Sequence, residues 1–301
     1  MPLASTCLPL PFELERIISE IAARSHRPNI VNLVLVARMF QEWIEPILYE
    51  RIILPSVLEG KRLLRTLNDT TRRDRARYIK ALYIVPPSKK IFYSSHPRSP
   101  KHLIRHCRYL ENFSYGSLRD DLRPSMLPIF EQHRLRRASL DIDEFFVNGS
   151  RVGNDFFHAQ QSLTHLDIRS MEAEHALRTM TMGLDFSLLQ HLTHLRFRFV
   201  DLFAVDDPES LEGLPMPILY ACAGLQLLLL DPCDFETSLY EFTMVTPFDP
   251  RLVFLIDDSD PILDWEAPIQ GQRDVWMRGE EHVRVQRANQ SYSLLVTKQP
   301  R

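Results

Sequence analysis

Chemistry in this chain of 301 residues would have to come from a few small groups of side chains. Two histidines recur in one phrase, Leu163-Thr164-His165-Leu166 and Leu192-Thr193-His194-Leu195. Imidazole titrates near neutral pH and ligates metals, so this pair could act as a pH switch, a metal pair or a contact to a substrate. The preferred reading is plainer: a repeat phrase was kept twice. His102, His106 and Cys107 share a predicted helix. Histidines at i and i+4 can chelate, but a fourth ligand is not evident. Asp141, Asp143 and Glu144 follow one strand end, and Asp257, Asp258 and Asp260 follow another. Either trio could hold a cation or act as paired carboxylates, and loop-solvating acids are preferred. The run Arg72-Arg73-Asp74-Arg75-Ala76-Arg77 offers an anionic-ligand patch, with a solvated loop or helix end preferred. GxGxxG, P-loop, HExxH and GxSxG signatures are missing, and nine glycines leave few phosphate-cradling loops. No catalytic residue, cofactor or metal site is assigned, and the chain is expected not to be an enzyme. An enzyme using His165, His194 and Asp167 is the outside alternative.

Composition narrows the partners. Lys plus Arg number 36 against 39 Asp plus Glu, for a net charge of −3, so no global excess attracts nucleic acid or anionic membrane. A hydrophobic fraction of 45% allows a sizeable core. No stretch approaches the roughly 20 apolar residues of a membrane span. Glu13, Glu15, Arg16 and Glu20 stand where a signal peptide would need an apolar block. A cytoplasmic or nuclear location is expected. Cys7, Cys107, Cys222 and Cys233 are scattered without a CxxC pair, which fits reduced thiols.

The elements that would position these groups repeat. Runs of the form L-x-x-L-x-L, or degenerate versions of it, centre on Leu82, Phe113, Ala138, Leu166, Leu195 and Leu228, with a looser seventh around Leu255. Ile53 looks like a strand before the first. Helical segments are predicted between them, at Pro100–Arg108, Pro124–His133, Asp155–Gln161, Glu172–Met182 and Pro215–Ala223. One strand and one crossover per repeat predicts a parallel sheet. The centres are 25 to 33 residues apart, slightly beyond the usual leucine-rich-repeat spacing, so the resemblance to that family is to a degenerate, irregular form. Side chains flanking each centre should point away from the core. Tyr83, Arg137, His165, Asp167, His194 and Arg196 are therefore the candidate contacts to a target protein, on an exposed face. Leu227 and Leu229 with Phe254 and Ile256 form an apolar end of that face, and the preferred reading is that an amphipathic helix over Asp274–Arg287 covers them, with Trp265 pinning its approach.

The stretch from Leu8 to Ile52 follows another rule. Leu10, Leu14, Ile17, Ile18 and Ile21 recur at helical spacing after Pro11. A second helix, from Asn29 to a stop at Pro46, carries Leu33, Val36, Ala37, Phe40 and Ile44 on one stripe and Val31, Val34, Leu35 and Met39 on others. Leu10-Pro11-Phe12-Glu13-Leu14, then Ile17, then Leu35-Val36-Ala37-Arg38-Met39-Phe40, resembles the F-box family, with Ala37, Arg38 and Phe40 where that family usually has Cys, Lys and Trp. With the repeats and the closing helix, the chain is similar to the F-box-like proteins of basidiomycete fungi. The resemblance implies that these helices bind a Skp1-like adaptor and that the remainder selects a target for an SCF-type ubiquitin ligase. Leu10, Pro11, Leu14, Ile17, Val34, Leu35, Val36 and Phe40 are the expected adaptor contacts.

The fold class expected is thus α/β: an all-helical F-box-like domain over residues 8–52, then a leucine-rich-repeat-like solenoid over residues 53–290 with a C-terminal capping helix. The two are expected to be rigidly joined. The functional alternative is a repeat scaffold or regulatory binding module unconnected with ubiquitination. The target protein is not identified.

Overall fold

The computed structural model describes residues 10–25, 27–69, 73–84, 100–115, 127–142, 145, 150–170, 183–199, 215–232, 249–257, 264–265, 267, 272–289 and 295–297. Three helices open it: α1 (Phe12–Ser25), α2 (Arg27–Val36) and α3 (Arg38–Glu50). They pack around Ala23, Ile30, Trp43 and Ile44. The predicted single second helix is two. Ala37 is extended at φ −158° and ψ 157°, and its carbonyl accepts from the Gln41 N–H as α3 begins. Pro46 does not stop α3, which runs on to Glu50. Proline removes one helical N–H, and here the turns on either side persist.

Without a gap, α3 leads into β1 (Arg51–Leu54). The strands that follow are β2 (Ala81–Ile84), β3 (Asn112–Tyr115), β4 (Arg137–Asp141), β5 (His165–Ser170), β6 (His194–Phe199), β7 (Leu227–Pro232) and β8 (Leu252–Asp257). Each pairs in parallel with the next, so the sheet order is the chain order. Ile52, Leu82, Phe113, Ala138, Leu166, Leu195, Leu228 and Leu252 stand in one register row. Six centres read from the sequence are in that row. Two neighbours are corrected: Ile52, not Ile53, aligns with Leu82, and Leu252, not Leu255, aligns with Leu228.

The row faces a core shared with α4 (Val57–Asn68), α5 (Pro100–His106), α6 (Ser150–Ala159) and α7 (Pro215–Ala221), and with short 3-10 turns at Leu127–Gln132 and Phe186–Leu188. Leu63, Leu64 and Leu67 of α4 enter this core, whereas Leu58 is exposed. Leu127–Gln132 forms a 3-10 turn where a helix over Pro124–His133 was expected, and Glu172–Met182 lies outside the described residues. Burying such aliphatic and aromatic side chains stabilises by roughly 1.5–3 kcal/mol each before chain entropy is counted.

The opposite face is covered by α8 (Val275–Asn289). Leu227, Leu229, Val253 and Leu255 meet Val275 and Val283 there, and Gly279 allows the close approach, since a Cβ would lie 2.7 Å from Leu227 Cδ2. The expected apolar lid is thus present at Leu227 and Leu229. Phe254 is corrected: it points into the main core, and Val253 and Leu255 take the lid side. The strand pattern also continues past Asp257, because β9 (Leu295–Thr297) pairs in parallel with β8.

Candidate functional site

Two regions carry the candidate residues. The first is the sheet face under the C-terminal segment. Its register rows read Arg137, His165, His194, Leu227; then Ser139, Asp167, Arg196, Leu229; then Asp141, Arg169, Arg198, Asp231. Parallel pairing places adjacent members about 5 Å apart, so charges alternate with like and unlike neighbours across the strands.

The expectation that these side chains lie open to solvent is corrected. Tyr83, Asp167, His194 and Arg196 are buried, Arg196 with only 1% of its surface exposed. His165 and Arg137 are half-buried. The reason is long-range ion pairing to the C-terminal segment. Arg196 bridges Asp231 and Asp264, the latter at 3.1 Å, and Asp264 also accepts from Arg278 at 3.0 Å and from the Val275 N–H at 3.0 Å. Arg137 pairs with Asp274 at 3.3 Å, and Asp274 accepts from the Met277 N–H at 2.9 Å in the first turn of α8. Arg198 pairs with Asp167 at 3.1 Å. Trp265 lies against Tyr83, ring centroids 5.7 Å apart, so it pins the approach to α8 as its position in the sequence suggested.

The two histidines are brought together. Their rings stack with centroids 4.2 Å apart and planes within 6° of parallel. Trp276 of α8 meets both edge-on, at 5.3 and 5.7 Å. His194 Nε2 is 3.0 Å from Glu280, and its Nδ1 is 2.8 Å from the Thr193 hydroxyl. A neutral ring donates from Nε2 to Glu280, and the single proton of the Thr193 hydroxyl is shared between Nδ1 and the Thr164 carbonyl at 3.0 Å. Burial lowers the His194 pKa below its ordinary value, opposed by Glu280. Burial, then His194 and Arg137, lowers that of His165 to about 3. Burial pushes the Asp167 carboxyl up, but Arg198, Arg196, Arg169 and the Ser139 hydroxyl together hold it below its usual range. Both histidines are neutral and Asp167 ionised near neutral pH.

The second region is the helical module. Leu10, Leu14, Ile17, Ile18 and Ile21 form one exposed stripe on and before α1, each 46–59% accessible, while Ser19 and Ala23 turn inward. Leu35 and Val36 at the end of α2 are 77% and 67% accessible. Pro11 is exposed as well. Six of the eight expected adaptor contacts thus face solvent. Val34 and Phe40 do not share that placement: both are half-buried against the Ala23–Ile44 core, Phe40 with its ring 5.5 Å from Trp43.

Among the remaining groups, Arg75 and Cys107 have structural partners. Arg75 pairs with Glu45 and lies over the Tyr49 ring at 5.4 Å, and the Lys80 ammonium lies 3.6 Å from the Glu50 carboxylate, so these cations brace α3 against the start of the sheet. Cys107 is buried, and burial pushes its thiol up to about 12, while His102 and His106 are exposed. Among the described residues no three His, Cys, Asp or Glu side chains gather as metal ligands, and no helix is long and apolar enough to cross a membrane. Asp143, Glu144, Asp258 and Asp260 lie outside the described residues. The sequence reading missed Asp264, Asp274, Glu280 and Arg278 as members of the sheet-face network; their acidic and basic spacing carries no local signal for partners far away in the chain. Comparison of this chain with family models, with curated proteins and with solved structures returns no match.

Proposed function

We propose that the chain is a non-enzymatic recognition subunit whose N-terminal helices dock on a Skp1-like adaptor of an SCF-type ubiquitin ligase, the repeat domain supplying contacts to a target protein. The observation that supports this is the outward stripe of Leu10, Leu14, Ile17, Ile18 and Ile21. Monomeric proteins rarely leave aligned aliphatic side chains of this kind in water unless a partner covers them. Leu10, Leu14 and Ile17 of the stripe are among the residues that resemble the F-box, and the module's own small core is already complete around Trp43 and Ile44. Direct continuation of α3 into β1, braced by Arg75 and Lys80, would hold adaptor and target at a fixed separation.

Co-purification with a Skp1-like adaptor tests the reading. The wild-type chain should retain the adaptor, and Leu10→Ala with Pro11→Ala should lose it while the thermal unfolding transition stays in place. A wild-type chain that does not bind the adaptor would leave the alternative, a scaffold module that uses the same stripe for another protein.

A further inference from the structure

With its sheet face covered by the C-terminal segment, the repeat domain offers other molecules its opposite side, where the connecting helices lie. A groove of about 710 Å³ opens there between the end of α5 and the 3-10 turn Leu127–Gln132. Arg105, Arg108, Pro128, Ile129, Gln132 and His133 line it. The His133 ring is buried between the two walls, its nitrogens 3.3 Å from the Ile104 carbonyl and 3.1 Å from the Ile129 carbonyl, so the fold itself fixes their spacing. Arg105, Arg108 and Gln132 are exposed. Among the described residues neither arginine has a carboxylate within ion-pair distance, whereas Arg136 is paired with Glu111 at 3.9 Å. Residues 100–110 carry Lys101, Arg105 and Arg108 and no Asp or Glu, in a chain whose net charge is −3. Glu131 of the facing turn is exposed but does not line the groove.

Two accessible, unpaired guanidinium groups beside an aliphatic floor select an occupant that is both anionic and apolar. Guanidinium binds carboxylates through paired N–H donors, Pro128 and Ile129 offer apolar contact, and the Gln132 amide can donate to and accept from a peptide backbone. The volume falls within the roughly 300–1,000 Å³ of a ligand-sized site, well beyond a single small anion. Nucleic acid fits less well. Bases need aromatic faces to stack on, and the one ring in the lining, that of His133, is buried between two carbonyls. We propose that this groove docks a short acidic peptide segment of another protein, its carboxylates on Arg105 and Arg108 and an aliphatic side chain against Pro128 and Ile129. The assignment deepens the recognition reading, on which it rests for calling that protein a target, by giving the target's chemistry and moving its contacts off the sheet face.

Fluorescence anisotropy of a labelled hexapeptide of alternating glutamate and leucine, titrated with the full chain alone, tests it. Saturable binding is expected, lost when lysine replaces each glutamate and weakened when serine replaces each leucine. Arg105→Glu with Arg108→Glu should weaken binding at least about tenfold. The same charge change on the far side of the sheet, Arg284→Glu with Arg287→Glu at exposed positions of α8, should leave it within about twofold. All four side chains are exposed, so thermal unfolding should stay near that of the wild type, and the wild-type peptide comparisons hold whatever the variants do. No saturable binding, equal binding of the lysine or serine peptide, or equal losses from the two double variants would each overturn the assignment. Tighter binding of a labelled thymidine tetranucleotide would overturn it in favour of nucleic acid. No adaptor is present in this titration, so its failure leaves the co-purification result standing.

Discussion

On α1 the large aliphatic side chains Leu14, Ile17, Ile18 and Ile21 stand in solvent while Ser19 and Ala23 pack inward; on β5 and β6 the charged side chains of Asp167 and Arg196 are buried and covered. The difference lies in what finishes each surface. The helical module closes its core with Trp43 and Ile44 and leaves its apolar stripe exposed. The sheet face is finished from within, by a C-terminal segment that brings Asp274 to Arg137 and Asp264 to Arg196. A face that was expected to be free for a target is therefore an internal surface, and the free surface is the helical one.

The largest expected effect breaks the charged side of this comparison. Arg196→Met leaves Asp231 and Asp264 facing each other, and both carboxylates are nearly inaccessible, at 2% and 7%. Removing one partner of a buried ion pair costs about 3–5 kcal/mol, which urea denaturation would register as a large drop in midpoint. A drop below about 1 kcal/mol would mean that water reaches the network and that the lid does not seal it. Next is the lid's closest approach. A methyl at Gly279 meets Leu227 side-chain carbons at 2.7 and 3.2 Å, so Gly279→Ala should cost about 1–3 kcal/mol through overpacking, less any gain in helix propensity. A neutral or stabilising result would show that α8 can shift on β7.

These two sites also mark how far the sequence could be read. Strands such as β5 and β6 were legible because apolar and polar residues alternate, as in Leu163-Thr-His-Leu166-Asp-Ile168. The run Leu252-Val-Phe-Leu-Ile256 is apolar at every position, so it reveals a strand but not which side faces the core, and its register was misread. Helical spacing showed that Leu14, Ile17 and Ile21 share a face, but periodicity alone does not say on which side the core lies. The break at Ala37 rests on one extended residue within a helix-forming run, and no Pro or Gly announces it. Least legible was the covering of Asp167 and Arg196. It depends on pairs such as Arg137 with Asp274, 137 residues apart, for which no local pattern exists.

A third test uses acidity to loosen the lid selectively. His165 has its pKa lowered to about 3 by burial, then by His194 and Arg137, while Asp274 and Glu280 face the pair from α8 and its approach. The unfolded chain then binds more protons than the folded one between roughly pH 6.5 and 3, so stability is fully present above that window and falls as pH drops through it. His165→Gln removes this titration. Its unfolding free energy should fall less steeply than that of the wild type from about pH 6.5 to about pH 4.5, where most carboxylates remain ionised. Parallel slopes would mean that protonation of the stacked pair is absorbed by Glu280 and Asp274.

The smallest change in stability is expected where the consequence for association is greatest. Ile17 and Ile21 are 50% and 59% accessible, so exchanging both for Gln removes little buried surface. Each substitution should alter the free energy of unfolding by no more than about 0.5 kcal/mol. Exposed apolar side chains contribute to stability only when a partner buries them, and in an interface a few such anchors carry most of the binding energy. The double variant should therefore unfold with the wild-type midpoint yet fail to retain the adaptor. A marked loss of stability instead would place these side chains inside the molecule's own core. The helical module and the sheet face would then follow the same burial rule, with no apolar surface left over for a partner.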